Sequence, residues 1–329
     1  MPLGSRSRGT SPLRTNPYPL GVTYKLDDSA HPPLDKAAHP VLHEGRVAVI
    51  TGAGSGIGRA AAKVLANLGM KLALADVDQE GLEQTANEVS SIIGASNVLA
   101  FPIDVANFDE VVKFKEKVFE AWDEVAVLMN NAGVATLDGK RGTSWENRDV
   151  WTEVLNTNVV GVLNVQHTFV QSMLHQENPS VVVNTGSKQG ITNPPGNPAY
   201  NASKAAVKSI TESLGHELRS QPDPHVTAHL FIPGWTYTGL TGHLTAGIGD
   251  KPDGAWSAEE SVLFMIDRVR AGDFYILVPD NETRREVDEL RIMWGAADIT
   301  EGRPALSRWH PSYKAAFDEY MKEGLAQLD

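Results

Sequence analysis

Seven short apolar runs, each separated from the next by a segment of helix length, constrain the fold of this chain more than any other feature. They are nearly continuous in apolar residues rather than alternating, which is typical of strands covered on both faces. Strands that alternate with helices predict βαβ units and a parallel sheet. We therefore predict an α/β fold, a doubly wound, mostly parallel seven-stranded sheet with helices on both faces. The runs are RVAVITG, KLALADVD, NVLAFPIDV, VAVLMNNAG, SVVVNTGS, HVTAHLFIPG and FYILVPD.

The positions of these runs divide the 329 residues into three predicted parts. Residues 1–44, rich in Pro, His and Ser, are expected to be an N-terminal arm that is disordered or lies on the surface. Residues 45–280 form one sheet domain. Residues 281–329 form a helical C-terminal extension, in which Asn281 and Ser312 are candidate helix caps.

Charge and composition exclude several classes of partner. The net charge is −12, from 41 acidic and 29 basic residues, so nucleic acid and anionic membranes are disfavoured as partners. The chain has no cysteine, which rules out disulfides and cysteine metal sites. The histidines show no metal-binding spacing, and we predict no metal site.

The N-terminus bears on localisation. It contains no apolar stretch like that of a secretory signal, and no run of about 18 apolar residues occurs in the chain. We expect a cytoplasmic protein. The basic residues Arg6, Arg8 and Arg14 leave a mitochondrial transit peptide open, although the prolines among them oppose an amphipathic helix.

A glycine loop follows the first run, in the segment VAVITGAGSGIGRAAAKVLANLG. Gly52, Gly56 and Gly58 match the spacing G-x-x-x-G-x-G. Such a loop lets the backbone approach a pyrophosphate, which then faces the amides of a helix N-terminus. By itself the motif is weak evidence, since a tight turn without a ligand has the same pattern.

Two acids follow later strands. Asp76 lies eighteen residues after Gly58, where a carboxylate can accept hydrogen bonds from the adenosine ribose and repel a 2′-phosphate. This favours NAD over NADP. Asp104 ends the third run and is either an adenine contact or an ordinary helix cap.

Tyr200 and Lys204 are one helical turn apart in NPAYNASKAAVKS. They are either a simple helix-face pair or an acid–base pair in which the ammonium lowers the pKa of the phenol. The match of Asn201 to the glycan acceptor pattern is disfavoured without a secretory route.

Six motifs in order resemble the short-chain dehydrogenase/reductase superfamily, a Rossmann-type fold, over roughly residues 45–280. They are TGAGSGIG, NNAG, NTNVVG, VVNTGS, YNASK and PGWTYT. The resemblance implies a homodimer or homotetramer that transfers hydride between a nicotinamide and a small-molecule alcohol or carbonyl substrate.

The resemblance also implies a catalytic set. Tyr200 is the general acid–base, and Lys204 lowers its pKa and holds the nicotinamide ribose. Ser187 polarises the substrate oxygen, although Thr185 and Gly186 leave the local choice ambiguous without the thirteen-residue spacing to Tyr200. Asn158 supports a proton relay.

The remaining predicted contacts concern cofactor and substrate. Gln189 and Trp235 are the predicted substrate contacts, and the residues between Thr238 and Ser257 are a candidate lid. A non-catalytic NAD-binding sensor or scaffold is the alternative function, and a sugar-nucleotide epimerase fits the glycine spacing poorly.

The predicted cofactor contacts are Gly52, Ser55, Gly56, Ile57, Gly58, Asp76, Asp104, Val105, Asn131, Ala132, Gly133, Tyr200, Lys204, Pro233, Gly234 and Thr238.

Overall fold

A computed structural model describes residues 39–135, 147–241 and 250–327 of the chain. All seven apolar runs supply strands of one parallel sheet, in the order β3-β2-β1-β4-β5-β6-β9. The predicted fold class is confirmed. The strands are β1 (Val47–Thr51), β2 (Lys71–Asp76), β3 (Val98–Pro102), β4 (Val127–Asn130), β5 (Ser180–Thr185), β6 (Val226–Ile232) and β9 (Tyr275–Leu277).

Helices cover both faces of this sheet. Successive residues of a strand point to opposite faces, so Ala48 and Ile50 pack with α1, α2 and α8, while Val47 and Val49 pack with α3, α5 and α7. The helices are α1 (Gly56–Asn67), α2 (Gln79–Ile93), α3 (Phe108–Trp122), α4 (Arg148–Leu155), α5 (Gly161–Met173), α6 (Gln189–Thr192), α7 (Pro198–Arg219), α8 (Ala258–Arg270), α9 (Arg285–Thr300) and α10 (Lys314–Ala326). Within the described residues, no helix is both long enough and apolar enough to cross a bilayer.

Two elements were not predicted. A π-helical turn, Asn156–Val160, separates α4 from α5 in what the sequence predicts as one long helix. A two-stranded parallel ribbon pairs β7 (Thr236–Tyr237) with β8 (Trp256–Ser257), on either side of the candidate lid. Residues 242–249 of that lid lie outside the described residues.

The predicted helix caps of the C-terminal extension are wrong. Helix α9 is capped at Arg284 and α10 at Tyr313, rather than at Asn281 and Ser312. The Asn281 side chain instead accepts a hydrogen bond from Trp256 Nε1 at 3.0 Å and donates to the Asp253 carbonyl at 2.6 Å. The Asn281 side chain is thus used in a tertiary contact with Trp256 and does not cap α9.

The predicted arm also ends earlier than residue 44. Val41 and Leu42 are 3% and 1% exposed and belong to the core on the α1 face. The Gly45 amide donates to the Gly69 carbonyl at 2.9 Å. The domain therefore begins before residue 45, because the side chains of Val41 and Leu42 are buried in its core. Residues 1–38 of the predicted arm lie outside the described residues.

The strand order reverses between β1 and β4. The chain moves from β1 to β2 and β3 on one side, then returns to place β4 on the other side of β1. In open parallel sheets, ligands bind in the crevice outside the carboxyl ends of the strands at such a reversal.

Candidate active site

A crevice of about 450 Å³ lies at this reversal. Most of the predicted cofactor contacts line it, although their positions in the sequence span nearly 190 residues. Those that line the crevice are Gly52, Ser55, Gly56, Ile57, Asp76, Asp104, Val105, Asn131, Ala132, Gly133, Tyr200, Lys204, Pro233 and Thr238.

The glycine loop connects β1 to α1. Gly52 and Gly56 have φ values of +67° and +50°, which side chains other than glycine rarely adopt. A Cβ atom at Gly58 would lie 1.9 Å from the Gly52 carbonyl oxygen. The three glycines thus permit the turn and the close packing of helix on loop, and the N-terminus of α1 faces the crevice as an anion-binding end.

Asp76 ends β2 beside this loop. Its Oδ2 accepts a hydrogen bond from the Gly54 amide at 2.7 Å, and its Oδ1 accepts one from the Asp78 amide at 2.9 Å. The Arg59 guanidinium donates to the Gly54 carbonyl at 2.6 Å. The carboxylate is therefore oriented by backbone amides at the edge of the crevice.

Asp104 is not the N-cap of α3, and its contact with adenine stays a prediction. Its Oδ1 accepts from the Ala106 amide at 2.9 Å, so it stabilises the turn before α3. The N-cap of α3 is Asn107. Asp104 and Val105 also line the crevice.

The end of β4 is tied to the glycine loop. Asn131 Nδ2 lies 3.3 Å from the carbonyl oxygens of both Thr51 and Gly52. Asn130, by contrast, is buried and donates to Asn184 Oδ1 at 2.7 Å, which is a structural role. Gly133, in the same loop, lies close to two predicted catalytic side chains. A Cβ atom there would be 3.3 Å from Asn158 Oδ1 and 3.5 Å from Lys204 Nζ.

Tyr200 and Lys204 lie on α7 at the inner end of the crevice, 8% and 5% exposed. Lys204 Nζ is 5.6 Å from the centre of the Tyr200 ring and donates to the Thr185 carbonyl at 2.8 Å. The Ser187 hydroxyl is close enough to the Tyr200 phenol to favour its ionised form and so to lower its pKa. The structure therefore brings three of the four predicted catalytic side chains together.

Burial dominates the pKa values of this pair. Desolvation raises the pKa of Tyr200 above its usual value, and the Ser187 hydroxyl opposes this with a smaller effect. Desolvation lowers the pKa of Lys204 to about 8. That Lys204 lowers the pKa of Tyr200 stays a prediction, and burial of the phenol, which raises this pKa, opposes it.

Asn158 lies in the π-helical turn and is fully buried. Its Nδ2 donates to the Val134 carbonyl and to Ser203 Oγ, both at 3.0 Å, and its Oδ1 accepts from the Val134 amide at 2.8 Å. The side chain therefore holds the loop after β4 against α7. A π-helical turn is common at functional sites.

Some predicted residues do not line the crevice. Gly58 packs under the glycine loop, and Gly234 faces Asp280 and Lys188 instead. The Gln189 amide donates to Ser187 Oγ at 3.2 Å, and the Trp235 amide donates to Asp280 Oδ2 at 3.1 Å. As substrate contacts, Gln189 and Trp235 remain predictions.

Sequence reasoning missed several lining residues. Thr185 supplies the carbonyl that accepts from Lys204, yet in the sequence it competed with Ser187 for a single role. Glu153 precedes Asn158 by five residues and belongs to no motif, whereas Thr157 lies inside NTNVVG, in which Asn158 received the predicted role. The missed residues are Val77, Ile103, Val134, Glu153, Thr157, Thr185, Gly186 and Leu240.

This fold and crevice are those of dinucleotide-binding Rossmann enzymes, and comparison with known proteins narrows the class. The family model described as short chain dehydrogenase matches residues 46–248. The chain belongs to the short-chain dehydrogenase family.

Relatives and solved structures agree with this assignment. A 3-oxoacyl-(acyl-carrier-protein) reductase of Thermotoga maritima is 34% identical over 60% of this chain and 77% of its own length. A 1-deoxy-11-beta-hydroxypentalenate dehydrogenase of Streptomyces exfoliatus is 28% identical over 82% of this chain and 96% of its own. The crystal structure of a short chain dehydrogenase/reductase from Burkholderia phymatum in complex with NAD is 32% identical, with a TM-score of 0.70 over 79% of this chain and 96% of that one.

The residues present fit a nicotinamide dinucleotide. An alcohol dehydrogenase structure from Thermococcus sibiricus, complexed with 5-hydroxy-NADP, is 25% identical with a TM-score of 0.61 over 74% of this chain and 99% of that one. Together with the NAD complex, it supports this class of cofactor and leaves the choice between NAD and NADP to the residues at the crevice. In this chain the glycine loop leaves no room for a Cβ at Gly52, where one would lie 2.7 Å from Ala132 Cα.

Proposed function

We propose that this chain is an NAD(H)-dependent oxidoreductase that interconverts a secondary alcohol and a ketone. The observation that carries the proposal is that Tyr200 and Lys204, both buried, line a crevice that also contains a glycine loop and Asp76, and that Ser187 acts on the Tyr200 phenol. Oxidation of an alcohol by a nicotinamide requires an acid–base group next to the bound dinucleotide, and this arrangement provides one.

Each side chain has a defined role in the proposal. A bound nicotinamide supplies the hydride acceptor or donor. Tyr200 Oη takes the hydroxyl proton of the alcohol during oxidation and returns it during reduction. Ser187 donates a hydrogen bond to the substrate oxygen, on which negative charge develops. Lys204 holds a positive charge beside the phenol and Asn158 supports the passage of the proton to solvent.

The role of Tyr200 is tested by Tyr200→Phe, which removes only the hydroxyl. We expect kcat to fall by about 10²- to 10⁴-fold, the usual contribution of general acid–base catalysis, while NADH binding measured by fluorescence is retained. Tyr275→Phe is the matched control, since that phenol lies outside the crevice and contacts Glu212. Unchanged turnover in Tyr200→Phe would remove the proposed base.

The preference for NAD rests on Asp76. Its carboxylate is held by two backbone amides and would meet a 2′-phosphate with like charge. Asp76→Asn keeps the size and acceptor oxygen but removes the charge. We expect the ratio of kcat/KM for NAD to that for NADP to fall by about tenfold, which corresponds to about 1.4 kcal/mol. A wild-type protein active only with NADPH would contradict the preference.

The non-catalytic sensor is not favoured. A sensor has no need of a phenol and an ammonium buried together beside the cofactor crevice, and the relatives compared include a reductase and a dehydrogenase. Tight NAD binding without turnover across a broad panel of alcohols and ketones would restore that hypothesis.

A further inference from the structure

An ion cluster outside the catalytic group joins three segments that the sequence separates widely. Lys188, the residue after Ser187, places its Nζ 3.1 Å from Asp280 Oδ2 and 2.5 Å from Asp288 Oδ2. The three side chains are 16%, 5% and 4% exposed. Lys188 starts the short helix α6, Asp280 follows β9, and Asp288 belongs to α9 of the C-terminal extension.

Asp280 connects the cluster to the turn after β6. The Trp235 amide donates to Asp280 Oδ2 at 3.1 Å. A Cβ atom at Gly234 would lie 2.7 Å from this same oxygen and 2.9 Å from Lys188 Nζ. The turn that contains Pro233, a residue lining the crevice, is therefore packed directly against the cluster.

Asp280 is itself fixed by its own turn. Its Oδ1 accepts from the Thr283 amide at 2.8 Å and from the Glu282 amide at 3.2 Å. The adjacent Asn281 accepts from Trp256 Nε1 on the ribbon strand β8. Through Asn281, the residue next to Asp280, the ion cluster is thus connected to β8.

Helix α9 adds an apolar contact to the ionic one. Ile191 of α6 and Ile292 of α9 both pack against a small buried cluster formed by Val162, Val207, Leu230, Ile232 and Leu277. Arg291 lies 3.6 Å from Asp288 Oδ1, so the carboxylate has a second cation beside it. The C-terminal extension is held to the loop after Ser187 by both charge and apolar packing.

We propose that Lys188 is a positioning residue, which through Asp280 and Asp288 holds the Ser187 loop and the Gly234 turn in register at the site. Helix α9 is then a structural part of the active site rather than an appendage. The catalytic consequence rests on the proposed function, since it is Ser187 that Lys188 positions. A small displacement of a hydrogen-bond donor from the reacting oxygen is enough to lower kcat.

The test compares Lys188→Met with wild type and with Arg46→Met. Arg46 is a matched control, because it forms a buried ion pair with Glu124 at 2.9 Å before β1, at the opposite end of the sheet. We expect Lys188→Met to lower kcat about tenfold or more while leaving the dissociation constant of NADH unchanged. Arg46→Met should lower thermal stability without lowering kcat.

A second variant guards against loss of folding. Asp288→Asn removes one charge from the C-terminal side of the cluster and leaves the ion pair of Lys188 with Asp280 in place. We expect a smaller fall in kcat in the same direction, again with NADH binding unchanged. A folded Lys188→Met or Asp288→Asn protein with wild-type kcat overturns the proposal, as does an equal loss in Arg46→Met.

Hydrogen exchange separates this inference from the proposed function. In Lys188→Met, or in Asp288→Asn if the former does not fold, amides of residues 186–192 and 233–236 should exchange faster than in wild type. In Arg46→Met they should not. If wild type oxidises no alcohol in the panel, the proposed function fails, and the exchange measurement still decides whether Lys188 positions these segments. Unchanged exchange in both segments overturns the positioning role.

Discussion

At the residue scale, desolvation governs the chemistry of α7. Tyr200 and Lys204 are both buried, and in each case burial favours the neutral form, raising the pKa of the phenol and lowering that of the amine to about 8. The favourable contacts are local: Ser187 at the phenol and the Thr185 carbonyl at the amine. At neutral pH the cost in folding stability comes from Lys204, because the buried amine is then charged whereas the buried phenol is neutral.

That cost makes the stability of the chain depend on the pH in a predictable direction. The folded-state pKa of Lys204, about 8, lies below the usual 10.5. Between these values the unfolded chain binds more protons than the folded one, so the free energy of unfolding rises with pH in this range. The penalty is fully present below pH 8, where it amounts to at most about 3 kcal/mol, and is relieved as the pH approaches 10.5.

Lys204→Met removes this group and provides the measurement. The difference in unfolding free energy between the variant and wild type should decrease, in favour of wild type, as the pH rises from 7 to 10. Denaturant unfolding at several pH values measures it. Lys322→Met, on an exposed part of α10, is the control. A difference that stays constant over this range would contradict the lowered pKa of Lys204.

At the scale of elements, the contact between α1 and the glycine loop depends on a missing side chain. A Cβ atom at Gly58 would overlap the Gly52 carbonyl oxygen, at 1.9 Å. Gly58→Ala must therefore move α1 away from the loop. We expect loss of NADH binding and a destabilisation of roughly 1–3 kcal/mol, as for an overpacked core.

At a second glycine, Gly295, substitution by alanine is expected to have the opposite effect on stability. Gly295 lies within α9, where a Cβ atom would meet nothing within 4 Å. Gly295→Ala should raise the free energy of unfolding by about 0.5–1 kcal/mol, because alanine favours the helix, and should leave NADH binding unchanged. Thermal unfolding and fluorescence titration measure both variants. If Gly58→Ala binds NADH as tightly as Gly295→Ala, the close contact between α1 and the glycine loop is not required for binding.

The π-helical turn between α4 and α5 shows how one element serves the site. The sequence of this region predicts a continuous helix. The inserted turn, Asn156–Val160, contains Asn158, whose side chain hydrogen-bonds with the backbone of Val134 and with Ser203 of α7. A π-helical turn adds one residue and shifts the apolar pattern by one position, which a segment this short does not distinguish from an imperfect helical repeat.

At the scale of the whole molecule, the family resemblance implies a homodimer or homotetramer. Phe108, Val160 and Leu163 are 43%, 39% and 44% exposed, and Phe108 lies beside His167, one turn after Leu163. We expect this apolar surface to be covered in the assembly. Leu163→Lys should shift the mass measured by light scattering towards the monomer.

The control for assembly is Ile299→Lys, at the end of α9, where the side chain is already 85% exposed. It should leave the mass unchanged. A wild-type chain that is monomeric at micromolar concentration would contradict the prediction of an oligomer.

Much of this protein follows from its sequence alone. Seven apolar runs predicted the seven strands, because a buried parallel strand is apolar on both faces wherever it lies in the chain. The glycine spacing and Asp76 predicted the dinucleotide crevice, because the carboxyl ends of β1 and β2 meet at one edge of the sheet. The pairing of Tyr200 with Lys204 follows from one turn of helix.

The tertiary structure decided what depends on distant partners and on burial. Lys188 and Asp280 are 92 residues apart, and no spacing rule connects them. The caps of α9 and α10 differ from the predicted ones, since a tertiary contact uses the Asn281 side chain. The burial of Tyr200 also depends on the tertiary structure: the ammonium four residues away is visible in the sequence, whereas the desolvation that raises the pKa of the phenol arises only when the chain closes around it.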